Sequence, residues 1–575
     1  MHLNLILTCA ALLLALSGCM KKAADKSEAT TEKAINLCGP TIADLNTEPG
    51  NDGKLTPLFT GLDVYHFPIT TSSDLAQRYF DQGFLLNYGF NHAEASRSFR
   101  EAIRQDPDCA MCYWGLGYVL GPNYNATMEV DLLPAANEAI ANAKLRMHLA
   151  TPKEQALIKA LDRRYPKDEK ADPAPYYEAY ADAMKKVHQQ FPEDADIAAM
   201  AAEAVMDLHP WDIWNKDGTP QPWTNEILRL LDQALNVDPT HPQAMHLTIH
   251  ALEASPNPEN ALTAANELRF RVPGSGHLVH MPSHLYINTG HYHEGTLANE
   301  RAVKIDSAYV EACSANGLYP LAYYPHNWHF LAACAALEGK GERALEASRY
   351  MANYVVDKEL MYAPEWGTLQ HFYTIPWYIM VKFAMWEEIA NEPQPDSKLP
   401  YASAIWHYAQ GMASASAGDF SKSAEHLQYL TTYAEDTLLA QMTVFDINSL
   451  AELVSIAENV VKGELAHRKG DLNESINYFT KAIEIEDQLS YNEPPDWFFS
   501  VRHLLGAVLI KNSQFADAEK VYREDLAELK NNGWALMGLY KSLEKQGKKE
   551  EAKKVKQQYN VAWQWADRPL ESSVL

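Results

Sequence analysis

Between residues 76 and 107 the chain reads AQRYFDQGFLLNYGFNHAEASRSFREAIRQDP. Gly83, Ala95, Phe99, Ala102 and Pro107 stand there at positions 8, 20, 24, 27 and 32 of a repeating unit of about 34 residues. Small residues at positions 8 and 20 let two helices approach closely, and the aromatic ring at 24 fills the space between them. A second unit opens at Ala110, with Tyr113, Leu116 and Gly117 at positions 4, 7 and 8. The same spacing returns near the other end. Gly506, Ala518 and Tyr522 occupy positions 8, 20 and 24 of a unit starting at Phe499, and Trp534, Met537 and Gly538 occupy 4, 7 and 8 of the next. GDLNESINYFTKAIEIE, residues 470 to 486, is a further copy. A helix pair of this size cannot bury its apolar face alone, so neighbouring pairs must stack.

This spacing resembles the tetratricopeptide repeat (TPR). The resemblance runs from about residue 75 to about 560, strong at both ends and degenerate in the middle. It implies an all-α fold, a TPR-like α-solenoid in which antiparallel helix pairs form a right-handed superhelix. Proline-rich stretches at 165–175, 215–223, 391–400 and 491–497 read as longer loops. The break at 391 divides the chain into an N-terminal array, 71–390, and a C-terminal array, 391–575.

The first residues are of another kind. LILTCAALLLAL, Leu5 to Leu16, is too short to span a hydrocarbon core about 30 Å thick as a helix, and it suits the apolar centre of an export signal. LSGC, ending at Cys19, resembles the lipobox of bacterial lipoproteins, in which that cysteine carries lipid. Residues 1–18 are therefore expected to be a signal peptide and 19–70 a lipidated cysteine with a flexible tether. The protein would lie in the cell envelope, on the outer membrane facing the periplasm or exported to the surface. In an oxidising compartment the remaining cysteines are candidates for disulfides. Cys109 with Cys112 and Cys313 with Cys334 are the plausible pairs, leaving Cys38 over. Cys109-Ala-Met-Cys112 also has the spacing of a redox motif, but no thioredoxin-like context surrounds it, and Tyr113 stands where haem attachment needs histidine.

The formal net charge of −26 repels a nucleic-acid backbone, so nucleic acid is excluded as a partner. Phosphate-binding glycine loops, dinucleotide fingerprints and nucleophile motifs are absent from the sequence. HLTIH and HMPSH have the spacing of a zinc-protease motif without its glutamate.

The histidines carry the functional signal. In a TPR unit, positions 2, 5, 9, 12 and 13 of the first helix line the concave groove; this follows from the resemblance. Frames set by Ala261, by Gly290 and Tyr292, by Ala344 and by Trp386 start units at Pro242, Gly276, Pro325 and Gln370. Positions 2, 5 and 9 of these units then hold His246, His250, His277, His280, His284, His326, His329 and His371, eight of twelve slots. Composition alone would place about 0.4 histidines there. Pairs at i, i+3 and i, i+4 share a helix face, and neighbouring first helices bring such pairs together. Imidazoles in this number suit a transition metal, Zn, Cu, Ni or Fe. Glu203, one unit upstream at position 9, is a candidate carboxylate ligand. His291 and His293 fall in a turn and are expected to be solvated. Pro282 and Pro376, at position 7 of their units, threaten the aim of His277 and His280. The segments CAMCYWG, HPQAMHLTIHALE, GHLVHMPSH and PHNWHF resemble a bacterial group of TPR-containing exported proteins.

Three readings stay open: a scaffold whose groove binds a metal, a metal-dependent enzyme using the same cluster, and a metal-free scaffold taking a protein or peptide ligand in its groove.

Overall fold

The computed structural model describes residues 45–50, 52–313 and 319–575. The export segment, Cys19 and Cys38 lie outside the described residues. Helix pairs follow one another along the chain. Asp74–Tyr88 packs on His92–Gln105, Ala110–Val119 on Leu133–Arg146, Ala195–Met206 on Thr224–Val237, Pro242–Leu252 on Leu262–Arg271, Pro282–Thr289 on Tyr292–Cys313, and Tyr324–Leu337 on Gly341–Tyr350. After Gly367–Lys382 come Pro400–Ser416 with Phe420–Ala434, Leu450–Lys469 with Leu472–Glu486, Arg502–Lys511 with Phe515–Glu528, and Gly533–Lys545 with Lys549–Ala562. The strands among the described residues, Thr443–Val444 and Asn448–Ser449, form a short antiparallel hairpin.

Local chemistry accounts for the boundaries. Ser73, Asn91, Asp194 and Ser275 accept backbone N–H groups as N-caps, and Thr151 and Ser449 form full capping boxes. Gly290 and Gly470 end their helices in the left-handed region, at φ 77° and 89°. The spacing of small and aromatic residues does what the repeat requires. A methyl group at Gly83 would stand 3.0 Å from the Phe99 ring, and one at Gly115 only 2.5 Å from it. Tyr522 is clasped in the same way between Gly506 and Gly538, where added carbons would lie 2.3 and 2.1 Å away. Each ring thus locks a pair to the pair that follows.

The C-terminal array returns onto the N-terminal one. Tyr292 donates to the Lys530 carbonyl at 2.8 Å, Lys530 pairs with Glu259 at 2.8 Å, and Arg568 donates to the Phe383 carbonyl at 2.9 Å. Glu493, Phe445 and Phe498 reach His284, His326 and His329, so this part of the inner face of the first array is covered, where the repeat pattern leads one to expect an open groove. The tether expected through residue 70 is also shorter than its composition implies. Leu62 and Phe67 are buried in the core, and Thr70 bonds to Glu154 through both its N–H and its hydroxyl.

Cys109 and Cys112 form a disulfide at the start of the Ala110–Val119 helix. Cys334 is a free, buried thiol packed against Gly295, so the bond expected between Cys313 and Cys334 is not made. None of the described helices is long and apolar enough to cross a membrane.

Candidate metal centre

The helix Pro242–Leu252 starts with His241 as its N-cap and Pro242 at its first position, both favourable for initiation. It presents His246 and His250 one turn apart. The next first helix runs as Gly276–His280 and Pro282–Thr289. Pro282 interrupts its hydrogen bonding without turning it aside. Met281 stays right-handed helical at φ −46° and ψ −38°, and its N–H reaches the His277 carbonyl at 2.9 Å. His277, His280 and His284 consequently keep a common face. Pro376 sits within the continuous helix Gly367–Lys382.

Six histidines gather in two sets of three. In the first set, His246, His250 and His277, one nitrogen of each lies within 4.8 Å of the others. The His246 ring is 4.8 Å from His250 and 5.1 Å from His277, centre to centre. In the second set, His284 Nε2 lies 3.0 Å from His280 Nε2 and 3.4 Å from His326 Nε2. Each set is backed by a phenylalanine. Phe90 contacts all three rings of the first, at 4.7, 5.7 and 5.4 Å, and Phe330 all three of the second, at 4.8, 4.6 and 5.0 Å. Phe90 has a φ of 56°, as unfavourable for a bulky side chain as the 57° of Trp211 and the 51° of Phe445, and these two also touch site histidines, His250 and His326. Strained backbone held against a cluster of ligating groups is characteristic of functional sites.

Two carboxylates orient the imidazoles. Glu253 takes His250 Nδ1 on one oxygen at 2.9 Å and approaches His284 Nδ1 with the other at 3.0 Å. Glu493, from the loop before Arg502–Lys511, meets the same His284 Nδ1 at 2.5 Å. Asn288 and Tyr491 hold the other Glu493 oxygen. His280 Nδ1 donates to Asn299 Oδ1 at 2.6 Å. With Nδ1 held in this way, Nε2 of His250 is left without a partner and Nε2 of His280 and of His284 turn toward each other, the arrangement in which an outer carboxylate or amide fixes the tautomer of a metal ligand.

The electrostatics set His284 apart from its neighbours. Burial, then the neighbouring imidazoles, hold His246, His277 and His280 well below the usual histidine range, so they are neutral. Burial also opposes charge on His284, but Glu493 and then Glu253 outweigh it and push its pKa up to about 10. Neither nitrogen of His246 or His277 makes a hydrogen bond, and His250 Nε2 has none. A buried polar group left unpaired costs about 1–3 kcal/mol. Several concentrated in one patch, with lone pairs converging, form a donor set that fits a transition-metal ion.

Other residues singled out from the sequence lie apart. His329 and His371 face each other, ring centres 5.5 Å apart, outside both sets; His371 Nδ1 meets the Tyr401 hydroxyl at 3.1 Å. Glu203 is engaged by the Tyr118 hydroxyl and by Gln243 Nε2 and joins neither set. His291 is exposed, as a turn residue should be, whereas His293 is held between Glu338 at 2.9 Å and the Trp565 ring at 4.3 Å. The site's own carboxylates, Glu253 and Glu493, escaped the repeat frame. Glu253 carries a faint signal, three residues beyond His250 on the same helical face, and Glu493 carries none.

The fold and site define an all-α protein of stacked helix pairs around a buried histidine centre. A family model described as a tetratricopeptide repeat matches residues 459–488, on the pair Leu450–Lys469 and Leu472–Glu486. The chain thus carries a tetratricopeptide repeat at this pair within an all-α fold of stacked helix pairs, and such repeats build protein-interaction scaffolds. Among solved structures it is similar to the APC/C hetero-tetramer Cut9-Hcn1, at 15% identity over 86% of this chain and 74% of that one, with a TM-score of 0.29. It is similar to the human IFIT1 dimer with PPP-AAAA at 13% identity, over 91% and 96% of the two chains, with a TM-score of 0.30. The yeast Tom70 structure aligns at 10% identity over 85% and 92%, with a TM-score of 0.25. No curated protein sequence matches this chain.

Proposed function

We propose that this protein is a cell-envelope scaffold whose interior binds a transition metal, Zn, Cu, Ni or Fe, through its clustered histidines. The observation that carries the reading is the convergence of six imidazoles into two three-nitrogen sets, the first of which leaves both nitrogens of His246 and His277 and Nε2 of His250 buried without a hydrogen bond. Imidazole-only donor sets suit those metals. Elemental analysis of protein purified without a histidine tag tests it. Stoichiometric metal, lost in the His280→Ala/His284→Ala double variant, is the expected result. Absence of metal, with stability unchanged on adding Zn or Cu, overturns it and leaves a metal-free scaffold.

A second reading has its own support. Three protein nitrogens per set leave a coordination position for water or substrate, as catalytic sites do, whereas structural sites close the shell with four ligands. A metal-dependent enzyme is thus the alternative use of the same centre. The envelope location rests on the apolar run Leu5 to Leu16 and on LSGC. Lipid on Cys19 would carry the chain into a detergent phase, and Cys19→Ser would release it to the aqueous phase. Equal partitioning of both forms refutes the anchor. The inner face being covered at His284, His326 and His329, a protein partner of the scaffold would dock on an outer surface.

A further inference from the structure

We propose that the two histidine sets hold a pair of metal ions close enough to share one small anionic ligand. The inference rests on the metal-binding reading and adds the number of ions and the class of ligand between them.

The two sets are built to one plan. Each takes a pair of histidines four residues apart on one first helix and a third from the first helix that follows: His246 and His250 with His277, then His280 and His284 with His326. Each is closed by one phenylalanine, Phe90 or Phe330. The plan overlaps itself, because His277 of the first set and His280 of the second stand on one helix a turn apart. Across the boundary the His277 and His280 rings are 5.9 Å apart and the His250 and His284 rings 6.0 Å. One ion cannot satisfy both sets. Placed in the second, it leaves the unbonded nitrogens of His246, His250 and His277 uncompensated.

Glu253 ties the sets together. Its two oxygens address His250 of the first and His284 of the second, so each ion acts on a ligand braced by the same carboxylate. Charge then selects the shared ligand. Six imidazoles, all neutral once an ion has displaced the His284 proton, bring none, and two divalent ions exceed what Glu253 and Glu493 neutralise. A buried site with excess positive charge draws in an anion. Tyr124, 5.1 Å from the His250 ring, and Tyr323, 4.9 Å from that of His277, crowd the space and favour a small one such as hydroxide or azide.

Copper(II) is the probe, because its unpaired electron reports on a neighbour. Wild-type protein loaded with Cu(II) should hold two ions per chain and lose most of its electron-paramagnetic-resonance intensity relative to copper content. His277→Ala and His326→Ala should each keep one ion and show full intensity. One ion per wild-type chain, or two with full intensity, overturns the pair while leaving metal binding intact; no copper at all defeats the metal reading itself. If a variant fails to fold, the wild-type ratio of spins to copper decides alone.

Discussion

If the second set binds a metal as proposed, the ion must displace a proton, and the structure says from where. His284 Nε2 faces His280 Nε2 at 3.0 Å while its Nδ1 faces Glu253 and Glu493. The two carboxylates overcome burial and hold the imidazolium, with a pKa of about 10. An ion that uses His284 Nε2 has to remove that proton. Below pH 10 its apparent affinity falls tenfold per pH unit, about 1.4 kcal/mol each, so at pH 7 the proton's competition is worth about 4 kcal/mol. The sign is fixed: binding weakens as pH falls. The first set behaves differently, since His246 and His277 are already neutral at pH 7 and surrender nothing. Calorimetric titration with Zn(II) at pH 7, in two buffers of different ionisation heat, counts the protons. About one should be released per chain on filling the second set, and its affinity should climb steadily from pH 6 to 8.5. Glu493→Gln removes the carboxylate nearest His284. It should reduce the protons released and raise the apparent affinity at pH 7. Zero release from the wild type, or a flat pH profile, refutes the assigned charge on His284.

Three further predictions are independent of metal chemistry or delimit it. Burial raises the Asp306 carboxyl to about 7, with the Tyr319 hydroxyl and Asn327 Nδ2 donating at 2.8 and 2.6 Å. Because the folded pKa exceeds the unfolded one, its contribution is complete below about pH 4 and lost as pH rises through 7; Asp306→Asn should gain on the wild type between pH 4 and 8 by up to about 4 kcal/mol, read as the urea midpoint, and a constant difference refutes this. Gly115→Ala drives a methyl group to 2.5 Å from the Phe99 ring. The overpacking, about 1–3 kcal/mol, should outweigh the gain of about 1 kcal/mol from better helix propensity, so Tm falls and Phe99→Leu restores it; a raised Tm would count against the clasp. His329→Ala should leave the metal content unchanged, since that ring lies with His371 outside both sets; loss of an ion would redraw the centre.

What the sequence disclosed and what it withheld divide along the range of the interactions. Gly83, Phe99, Gly506 and Tyr522 specify helix pairs because their contacts are made within one unit or with the next, so spacing alone reveals them. The six site histidines are legible for the same reason, since units in register place equivalent positions side by side. The frame fails where angle matters. His329 follows His326 by three residues, about 300° around the helix, so it points about 60° aside from its neighbour and meets His371 instead. Glu203 shares the frame position of His250 and His284, yet Tyr118 and Gln243 claim it. Glu493 could not be read at all. It is brought in by a loop 205 residues along the chain from its partner Asn288, when the C-terminal array folds back over the first. That return also closes the expected open groove over His284, His326 and His329, reached by Glu493, Phe445 and Phe498, while Phe90, Tyr124 and Trp211 of the first array pack His246 and His250; His246, His250, His280 and His284 are between 0% and 3% exposed. A solvated row of histidines would be a weak, promiscuous chelator. The same row, buried and braced by Glu253 and Glu493, has its nitrogens fixed before any ion would arrive, and such pre-organisation is what the proposed metal centre requires and a histidine-rich surface lacks.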